Sequence, residues 1–333
     1  MGAEYPEPAP ARPGRTRARP PQRADPGRSA APMRGDPVPL TGAALIRAVF
    51  LRALLICLTL CAPVGAEPLT ELDWQAPDPQ LGGLSGVEIS RDGARLWLLS
   101  DRGFLIAARV RRTEGRITAV EITQVSSLLD TSGNRAETRL ERDSEGLAVS
   151  AGGAIYVSYE GEHRVVRHMP DGRVNLNLPS LPDMGRLEEN GSFEALAIDP
   201  DDRLYTLIEG GRNGPAPLFR FVEGHWDTRF VFPRSNGFDP VGMDIDDAGR
   251  LYVLERRFRV LGRFATRIRR APITATGLGV FETVLQTPSG RHPNLEGISL
   301  WRDGDNRLIA TLVSDDNFSS MFRNQIVEYV LPD

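Results

Sequence analysis

Residues 83–103 read GLSGVEISRDGARLWLLSDRG, and related segments occur four more times along the chain. Each copy has a run of alternating apolar residues, a turn rich in Asp and Gly, and a second alternating run, which is the pattern of a β-hairpin. The later copies are SEGLAVSAGGAIYVSYE from Ser144, FEALAIDPDDRLYTLIE from Phe193, PVGMDIDDAGRLYVLER from Pro240 and LEGISLWRDGDNRLIATLVSDDN from Leu295. The sequence therefore contains five consecutive hairpins.

The spacing of the copies indicates how the hairpins are assembled. Their equivalent positions are 60, 49, 47 and 55 residues apart, at Gly86, Gly146, Ala195, Gly242 and Gly297. Periods in this range are typical of propeller blades or solenoid turns. Further alternating segments between the copies supply outer strands, so the sequence predicts an all-β fold, a β-propeller of five or six four-stranded blades. Residues 69–74 are expected to pair with the last strand, 325–331, and close the ring.

The N-terminal region has a different composition. Residues 1–42 are rich in Pro, Arg, Gly and Ala without apolar periodicity, which indicates a disordered extension or a start placed too far upstream. Residues 43–66 combine arginines, an apolar run and small residues, the order of a secretory signal, with cleavage expected after Ala66. A membrane anchor is the alternative, but the apolar run is only about half of the ~20 residues that a spanning helix requires. The expected mature protein, 67–333, is a single propeller domain, periplasmic or secreted, without stable membrane insertion.

The composition excludes several kinds of chemistry. All 40 basic residues are arginine, which excludes the P-loop lysine and Schiff-base lysines. The two cysteines, Cys57 and Cys61, lie within the predicted signal, so the mature chain has no thiolate nucleophile or disulfide. Removing residues 1–66 leaves 31 arginines against 40 acidic residues, a net charge of −9. This charge disfavours nucleic acid as a partner. We expect a monomer that binds a small anionic or ester substrate.

Acidic residues flank the predicted hairpins at the end of the channel where their first strands begin. Those at strand starts are Glu145, Glu194 and Glu296, and those at strand ends are Asp101, Glu160, Glu209, Glu255, Asp315 and Asp316. Three copies share the same 15-residue interval, at 145–160, 194–209 and 240–255. In a propeller these flanks converge on one mouth of the channel, where like charges require a cation. Oxygen ligands without His or Cys favour Ca²⁺, then Mg²⁺ or Mn²⁺.

Three simpler explanations of the acidic flanks remain open. The carboxylates can be solvated strand ends, or can bond to backbone amides of the turns. Neighbouring guanidinium groups of Arg102, Arg256 and Arg257 can also neutralise them without a metal, or bind an anionic substrate.

Several short motifs are similar to those of a known family. The segments Ser100-Asp101-Arg102-Gly103, Asn294-Leu295-Glu296-Gly297 and Ser314-Asp315-Asp316-Asn317 resemble the exported bacterial phytase-like β-propellers with esterase-like activity. The resemblance spans nearly the whole mature chain. It implies a calcium-dependent attack of water on a phosphate ester, with metal held by Asp101, Glu145, Glu194, Glu209 and Glu296, and phosphate contacted by Arg102 and Arg256.

Two departures from the family pattern restrict the range of expected substrates. Propeller phytases usually carry lysines at the substrate cleft, whereas this chain has none, and one strand start is Val241 rather than an acid. The expected substrate is therefore a smaller phosphomonoester, a phosphodiester or a carboxylic ester. Two alternatives are a non-catalytic propeller that binds a ligand or protein, and a calcium-dependent lactonase that uses Glu296, Asp315 and Asn317.

The sequence also contains a candidate general acid and two partial matches to known functional motifs. Among the histidines, His292 precedes the predicted mouth and is the candidate general acid. The segment from Asp244 to Glu255 matches an EF-hand loop only in part, because position five is Ala248 and its flanks alternate like strands. Ser85 lies in a segment similar to a nucleophile elbow that lacks the final Gly and the following helix. A propeller hairpin explains both segments better.

The signal prediction can be checked on the exported protein. We expect the mature chain to start at Glu67, and N-terminal sequencing together with intact-mass measurement tests this. A mature N-terminus upstream of Glu67 would contradict the proposed cleavage.

Overall fold

The computed structural model describes residues 66–182, 193–208, 214–259, 263–319 and 322–333. The predicted extension and nearly all of the predicted signal lie outside the described residues, as does Glu209. Within them, the single α-helix is the four-residue segment Arg139–Arg142. No described helix has the length and apolarity that crossing a membrane requires.

Five antiparallel sheets make up the described part of the chain, and each one begins with a hairpin of the repeated sequence. The first contains β2 (Leu84–Ile89), β3 (Arg95–Ser100), β4 (Phe104–Thr113) and β5 (Arg116–Ser127). The second contains β6 (Ser144–Val149), β7 (Ile155–Tyr159), β8 (Arg164–His168) and β9 (Val174–Asn177). The third contains β10 (Ala195–Ile198), β11 (Leu204–Leu207), β12 (Ala216–Val222) and β13 (His225–Phe232).

The last two sheets depart slightly from this plan. The fourth contains β14 (Asp239–Ile245), β15 (Arg250–Arg259), β16 (Arg263–Thr274) and β18 (Glu282–Gln286), with a two-residue strand β17 (Gly277–Leu278) added to β16. The fifth contains β19 (Asn294–Arg302), β20 (Leu308–Asp315), β21 (Gln325–Leu331) and, from the other end of the domain, β1 (Thr70–Asp73).

The five sheets form the blades of a closed propeller. Their innermost strands contact one another in the cyclic order β2, β6, β10, β14, β19 and back to β2. The strand β1 pairs antiparallel with β21, placing Thr70 opposite Glu328, and completes the fifth blade. The predicted all-β propeller and its closure by terminal strands are thus confirmed, with five blades in the described residues.

Buried polar contacts reinforce the closure. The Glu328 carboxylate is fully buried and accepts hydrogen bonds from both terminal nitrogens of Arg112 on β4, at 2.6 and 2.7 Å. It also accepts from the hydroxyl groups of Thr70 at 3.2 Å and Thr311 at 3.0 Å. One side chain therefore joins strand β1 to its own blade and to the first blade.

Close approach of the innermost strands explains the glycine in the repeat. A Cβ atom at Gly242 would lie 2.4 Å from the carbonyl oxygen of Glu296 on the next blade, and one at Gly146 would lie 2.8 Å from the amide nitrogen of Leu196. Real Cβ atoms do not approach backbone atoms so closely, so four of the five equivalent positions are glycine.

This packing leads to a prediction on stability. Gly242→Ala should destabilise the protein by about 1–3 kcal/mol, because neither backbone can move without separating two blades. Gly304→Ala is the matched control, since no heavy atom lies within 4 Å of its added Cβ. Denaturant unfolding measures both, and equal stability of the two variants would contradict the close contact.

Candidate functional site

Six acidic side chains gather at the end of the channel where the innermost strands begin. We call them the mouth carboxylates, and they are Asp101, Asp143, Glu145, Glu160, Glu194 and Asp315. Carboxylate oxygens of Asp143, Glu145 and Glu160 lie within 4.8 Å of one another. The charges of Glu194 and Asp101 both raise the pKa of Glu145, and Asp315 raises that of Asp101. Of the acids predicted from the sequence, the structure therefore brings together Asp101, Glu145, Glu160, Glu194 and Asp315.

Burial makes this group of like charges costly. One oxygen of Asp101, Oδ1, is buried and has no hydrogen-bond partner among the residues that the structure describes. Burial, followed by the charge of Asp315, raises the pKa of Asp101 to about 7. Burial likewise raises the pKa of Asp315 to about 6, and it raises that of Glu145 well above its ordinary value. The folded protein thus holds more negative charge here than its surroundings neutralise.

Asp143 was missed in the sequence because it lies in the connection that follows the short helix, outside the repeated hairpin. The sequence nevertheless contains a signal for Asp143, because Asp143 and Glu145 are two residues apart at the start of β6. Residues two apart on an extended chain share a face. The structure shows that their carboxylates indeed come together.

Glu255 does not belong to the mouth, contrary to the sequence prediction. Its carboxylate is fully buried and binds the guanidinium groups of Arg267 at 2.8 Å and Arg269 at 2.7 Å on β16. The 15-residue interval that ends at Glu255 begins at Pro240. The residue equivalent to Glu145 is the one directly before the repeated glycine, which is Val241, one position later. A one-residue shift along a strand turns the side chain to the other face.

Arg256 therefore occupies the place that an acid holds in other blades. It lies opposite Asp239 across the hairpin, as Asp315 lies opposite Asn294 in the fifth blade. Its guanidinium forms an ion pair with Glu296 and donates to Asn294 Oδ1 at 2.9 Å. Glu296 thus reaches the same region but is already neutralised by a guanidinium group, as one of the simpler explanations anticipated.

Two other arginines stand beside the mouth carboxylates. Nη2 of Arg139 is 3.8 Å from Oδ2 of Asp101, and the Arg139 side chain is 76% exposed. The guanidinium carbon of Arg102 lies 3.3 Å from the ring centroid of Phe318. Sequence analysis identified Arg102 but neither Arg139 nor Phe318, because both lie in connections outside the repeated strands.

His292 lies in the interior of the closing blade. Its side chain is fully buried, with Nδ1 3.1 Å from Gln325 Oε1 and Nε2 2.5 Å from the hydroxyl of Tyr329. Burial lowers its pKa. Both partners are on β21, so the structure supports a packing role for His292 rather than the predicted general acid.

The opposite end of the channel holds a cavity of about 750 Å³ lined by the five hairpin turns. Two buried acids there link neighbouring inner strands. Glu88 Oε1 accepts from the amide of Val149 at 3.3 Å, and Asp244 Oδ2 accepts from the amide of Leu300 at 2.6 Å. These contacts supply hydrogen-bond acceptors for backbone amides on strand edges that face the channel.

The remaining sequence alternatives are explained by hairpin structure. Asp246 accepts a hydrogen bond from Nε of Arg250 at 2.7 Å and closes a tight β-turn, so its segment is a hairpin and not a calcium-binding EF-hand. The Ser85 hydroxyl is buried and donates to the carbonyl of Ser144 at 2.7 Å, which links two blades.

Comparisons with known proteins agree with this architecture. The family model described as "Phytase-like: Esterase-like activity of phytase" matches residues 79–318. The chain belongs to this phytase-like family. No match was found among curated proteins.

Solved structures similar to this phytase-like propeller share little sequence with it. A virginiamycin B lyase from Staphylococcus aureus is 14% identical with a TM-score of 0.42, over 79% of this chain and 98% of that one. A gluconolactonase from Xanthomonas campestris is 16% identical with a TM-score of 0.40, over 72% and 69%.

The mouth carboxylates of this family member fit a divalent cation. They supply oxygen donors alone, they include an unpartnered buried oxygen on Asp101, and three of them converge within 4.8 Å. Hard oxygen donors of this kind favour Ca²⁺, with Mg²⁺ or Mn²⁺ as alternatives. The ligands best placed to share one ion are Asp143, Glu145 and Glu160.

The raised pKa of Asp101 leads to a test by stability. The folded state binds this proton more tightly than the unfolded state, so without divalent cations the carboxylate destabilises the protein as the pH rises through about 7. Asp101→Asn should therefore stabilise the chelator-treated protein at pH 8 by on the order of 2 kcal/mol, and by clearly less at pH ~5, where the folded-state carboxyl is still protonated but the unfolded-state carboxyl, with an ordinary pKa of 3.8, is already ionised.

Denaturant unfolding at both pH values measures this difference. Asp305→Asn is the control, because that carboxylate is 79% exposed. An Asp101→Asn effect that does not change with pH would contradict the proposed burial of the charge.

Proposed function

We propose that the protein is an exported, metal-dependent ester hydrolase that acts on a phosphoester at the mouth carboxylates. The observation that carries this proposal is the convergence of six acidic side chains, one with an unpartnered buried oxygen, at one end of a propeller channel. Membership of the phytase-like family supports the same class of reaction.

The chain itself would bind and orient both the metal and the substrate. Asp143, Glu145 and Glu160 hold the ion, with Asp101 and Asp315 next to them. When bound, a divalent ion lowers the pKa of water and neutralises ester oxygens. Because Asp101 and Asp315 are largely buried, few water molecules can compete with the cation for their carboxylate oxygens.

Guanidinium groups on the rim complete the proposed site. Arg102 and Arg139 lie on one side of the mouth carboxylates and can contact phosphate oxygens. Arg256 is engaged by Glu296 and Asn294, so its proposed contribution to phosphate binding is secondary.

Composition limits the substrates that we propose. The net charge of −9 on the mature chain and the complete lack of lysine do not favour a highly charged polyphosphate. A small phosphomonoester, phosphodiester or carboxylic ester is proposed instead, and phytate is not. The predicted signal supports a periplasmic or secreted location. We propose a monomer, and the negative net charge disfavours nucleic-acid partners.

The lactonase alternative has weaker support. The amide of Asn317 donates to Asp315 Oδ1 at 2.6 Å, so two of the three expected ligands are neighbours. Glu296, its expected metal ligand, is neutralised by Arg256. We therefore retain lactone hydrolysis as a second activity to assay.

Charge-removing variants test the metal site. Glu145→Gln and Asp101→Asn should each weaken Ca²⁺ binding by about tenfold or more, because Glu145→Gln removes the charge of a proposed ligand and Asp101→Asn removes a negative charge beside the ion, each with little change of shape. Glu121→Gln, on an exposed part of the outer strand β5, is the control. Titration calorimetry with Ca²⁺, Mg²⁺ and Mn²⁺ measures the affinities.

Hydrolysis assays test the reaction. The purified protein should cleave p-nitrophenyl phosphate, bis(p-nitrophenyl) phosphate or a short acyl ester only with a divalent ion, and the two variants should lose this activity. Inertness toward these esters and a lactone, with an unchanged melting temperature on adding metal, would identify a non-catalytic binding propeller instead.

A further inference from the structure

The hairpin formed by β15 and β16 extends beyond the level at which the first blade ends. In the first blade, β3 and β4 separate after Ser100, one residue past the position opposite the repeated glycine. The equivalent residue of the fourth blade is Glu255, yet β15 stays paired with β16 for four more residues, up to Arg259 opposite Arg263. At about 3.3 Å per residue, the hairpin projects by about 13 Å at the mouth end of the channel.

One face of this projecting hairpin is aromatic. Phe258 on β15 lies directly opposite Phe264 on β16, and their ring centroids are 5.5 Å apart in an edge-to-face arrangement. The ring of Phe264 is in turn 6.4 Å from that of Phe322, in the connection that leads to β21 of the fifth blade. We call Phe258, Phe264 and Phe322 the rim phenylalanines. They form a continuous aromatic surface between the fourth and fifth blades.

The aromatic face continues into the mouth. Residues two apart on a strand share a face, so Phe258 lies on the same side of β15 as Arg256. The Arg256 guanidinium donates to Asn294 Oδ1 at 2.9 Å, and Asn294 is the cross-strand neighbour of the mouth carboxylate Asp315. Burial raises the pKa of Asp315 to about 6, and the opposite charge of Arg256 partly counteracts this rise. Phe258 therefore lies only about 7 Å along the strand from a group that interacts with the mouth carboxylates.

Phe258 is exposed in a way that other aromatic residues of this protein are not. Its side chain is 64% accessible to solvent, whereas all other Phe, Tyr and Trp side chains that the structure describes are buried or half-buried. Folding does not require an apolar ring at this position, since the ring buries little surface. An exposed large apolar surface of this kind marks a contact site.

The direction of the aromatic face indicates what it contacts. Arg259 and Arg263 are exposed at the end of the described hairpin, so an anionic membrane surface is the competing partner. Phe264, however, contacts Phe322 of the fifth blade, and Arg256 on the same side contacts Asn294 there. The rim phenylalanines thus face across the edge of the mouth, which favours a ligand bound in the mouth.

We propose that the rim phenylalanines form a subsite for an aromatic ring of the substrate, with Phe258 as its main contact. This inference rests on the proposed function and narrows it to esters that carry an aromatic group rather than a short alkyl or polyol group. Aromatic rings pair edge to face or offset, and they bury apolar surface when they do so. Phe264 and Phe322 hold one side of Phe258, and the other side is open to the ligand.

Binding of a neutral aromatic alcohol tests the subsite without metal or hydrolysis. 1-Naphthol is titrated into the chelator-treated full protein and followed by its fluorescence, with glycerol as the polyol comparison in a competition experiment. The protein should bind 1-naphthol saturably, and glycerol should not displace it. Phe258→Ala should weaken the binding by about fivefold, and Phe258→Trp should retain it.

Val280→Ala is the control for this experiment. Val280 is a 90% exposed apolar residue of the same blade, in the connection between β17 and β18, so its removal should leave 1-naphthol binding unchanged. The melting temperature of Phe258→Ala should equal that of the wild type, because the ring is largely exposed.

Substrate selectivity provides a second readout. Benzyl phosphate and ethyl phosphate have alcohol leaving groups of similar reactivity, so their kcat/KM ratio reports on contacts to the ring. The wild type should prefer benzyl phosphate, and Phe258→Ala should lower the ratio by about fivefold.

The outcomes separate this inference from the proposed function. Equal 1-naphthol affinity in the wild type and Phe258→Ala, or no saturable binding, would overturn the inference. Phe258-dependent binding without any hydrolysis would refute the hydrolase and leave the aromatic subsite intact. Metal-dependent hydrolysis with a benzyl-to-ethyl ratio that Phe258→Ala does not change would do the reverse. Phe258-dependent sedimentation with phosphatidylglycerol vesicles, without 1-naphthol binding, would replace the subsite by a membrane contact.

Discussion

The close approach of the five innermost strands is the constraint on which the site depends. Where glycine occupies the repeat, a strand passes so near its neighbour that a Cβ would meet backbone or a Cβ of the next blade, as at Gly242 and Gly146. Acidic residues next to these positions are consequently drawn into a narrow ring. The raised pKa values of Asp101 and Glu145 are the electrostatic cost of that geometry. A bound divalent cation, as proposed above, would offset this cost.

Much of the architecture could be predicted because hairpins have local signals. Alternation and Asp/Gly turns located the hairpins, and convergence of their flanks placed Asp101, Glu145 and Asp315 together. The predictions that were wrong, for Glu255 and His292, concern strand register and burial by distant parts of the chain. Glu255 faces the other side of its strand after a one-residue shift, and the burial of His292 depends on strand β21, distant in sequence. Loop positions such as Phe318 follow no repeat.

Arginine performs every cationic role in this chain. In the interior, Arg267 and Arg269 share the buried carboxylate of Glu255, while at the mouth Arg102 rests on an aromatic ring. A guanidinium group suits both places, because its planar donors bind a carboxylate in pairs and its face stacks on aromatic rings. Side chains held in this way keep defined positions, which a flexible ammonium group on a lysine would not.

The pairing of β1 with β21 also determines when the site can exist. Thr70 and Glu328 are 258 residues apart in sequence, yet they are bonded neighbours in the closing blade. Contacts between such distant segments form late in folding. If the protein is exported as proposed, the first strand would emerge long before the last during translocation, so the ring would stay open while the polypeptide crosses the membrane. High affinity for the proposed cation would then arise only after the whole chain has crossed, so metal acquisition and synthesis would take place in different compartments.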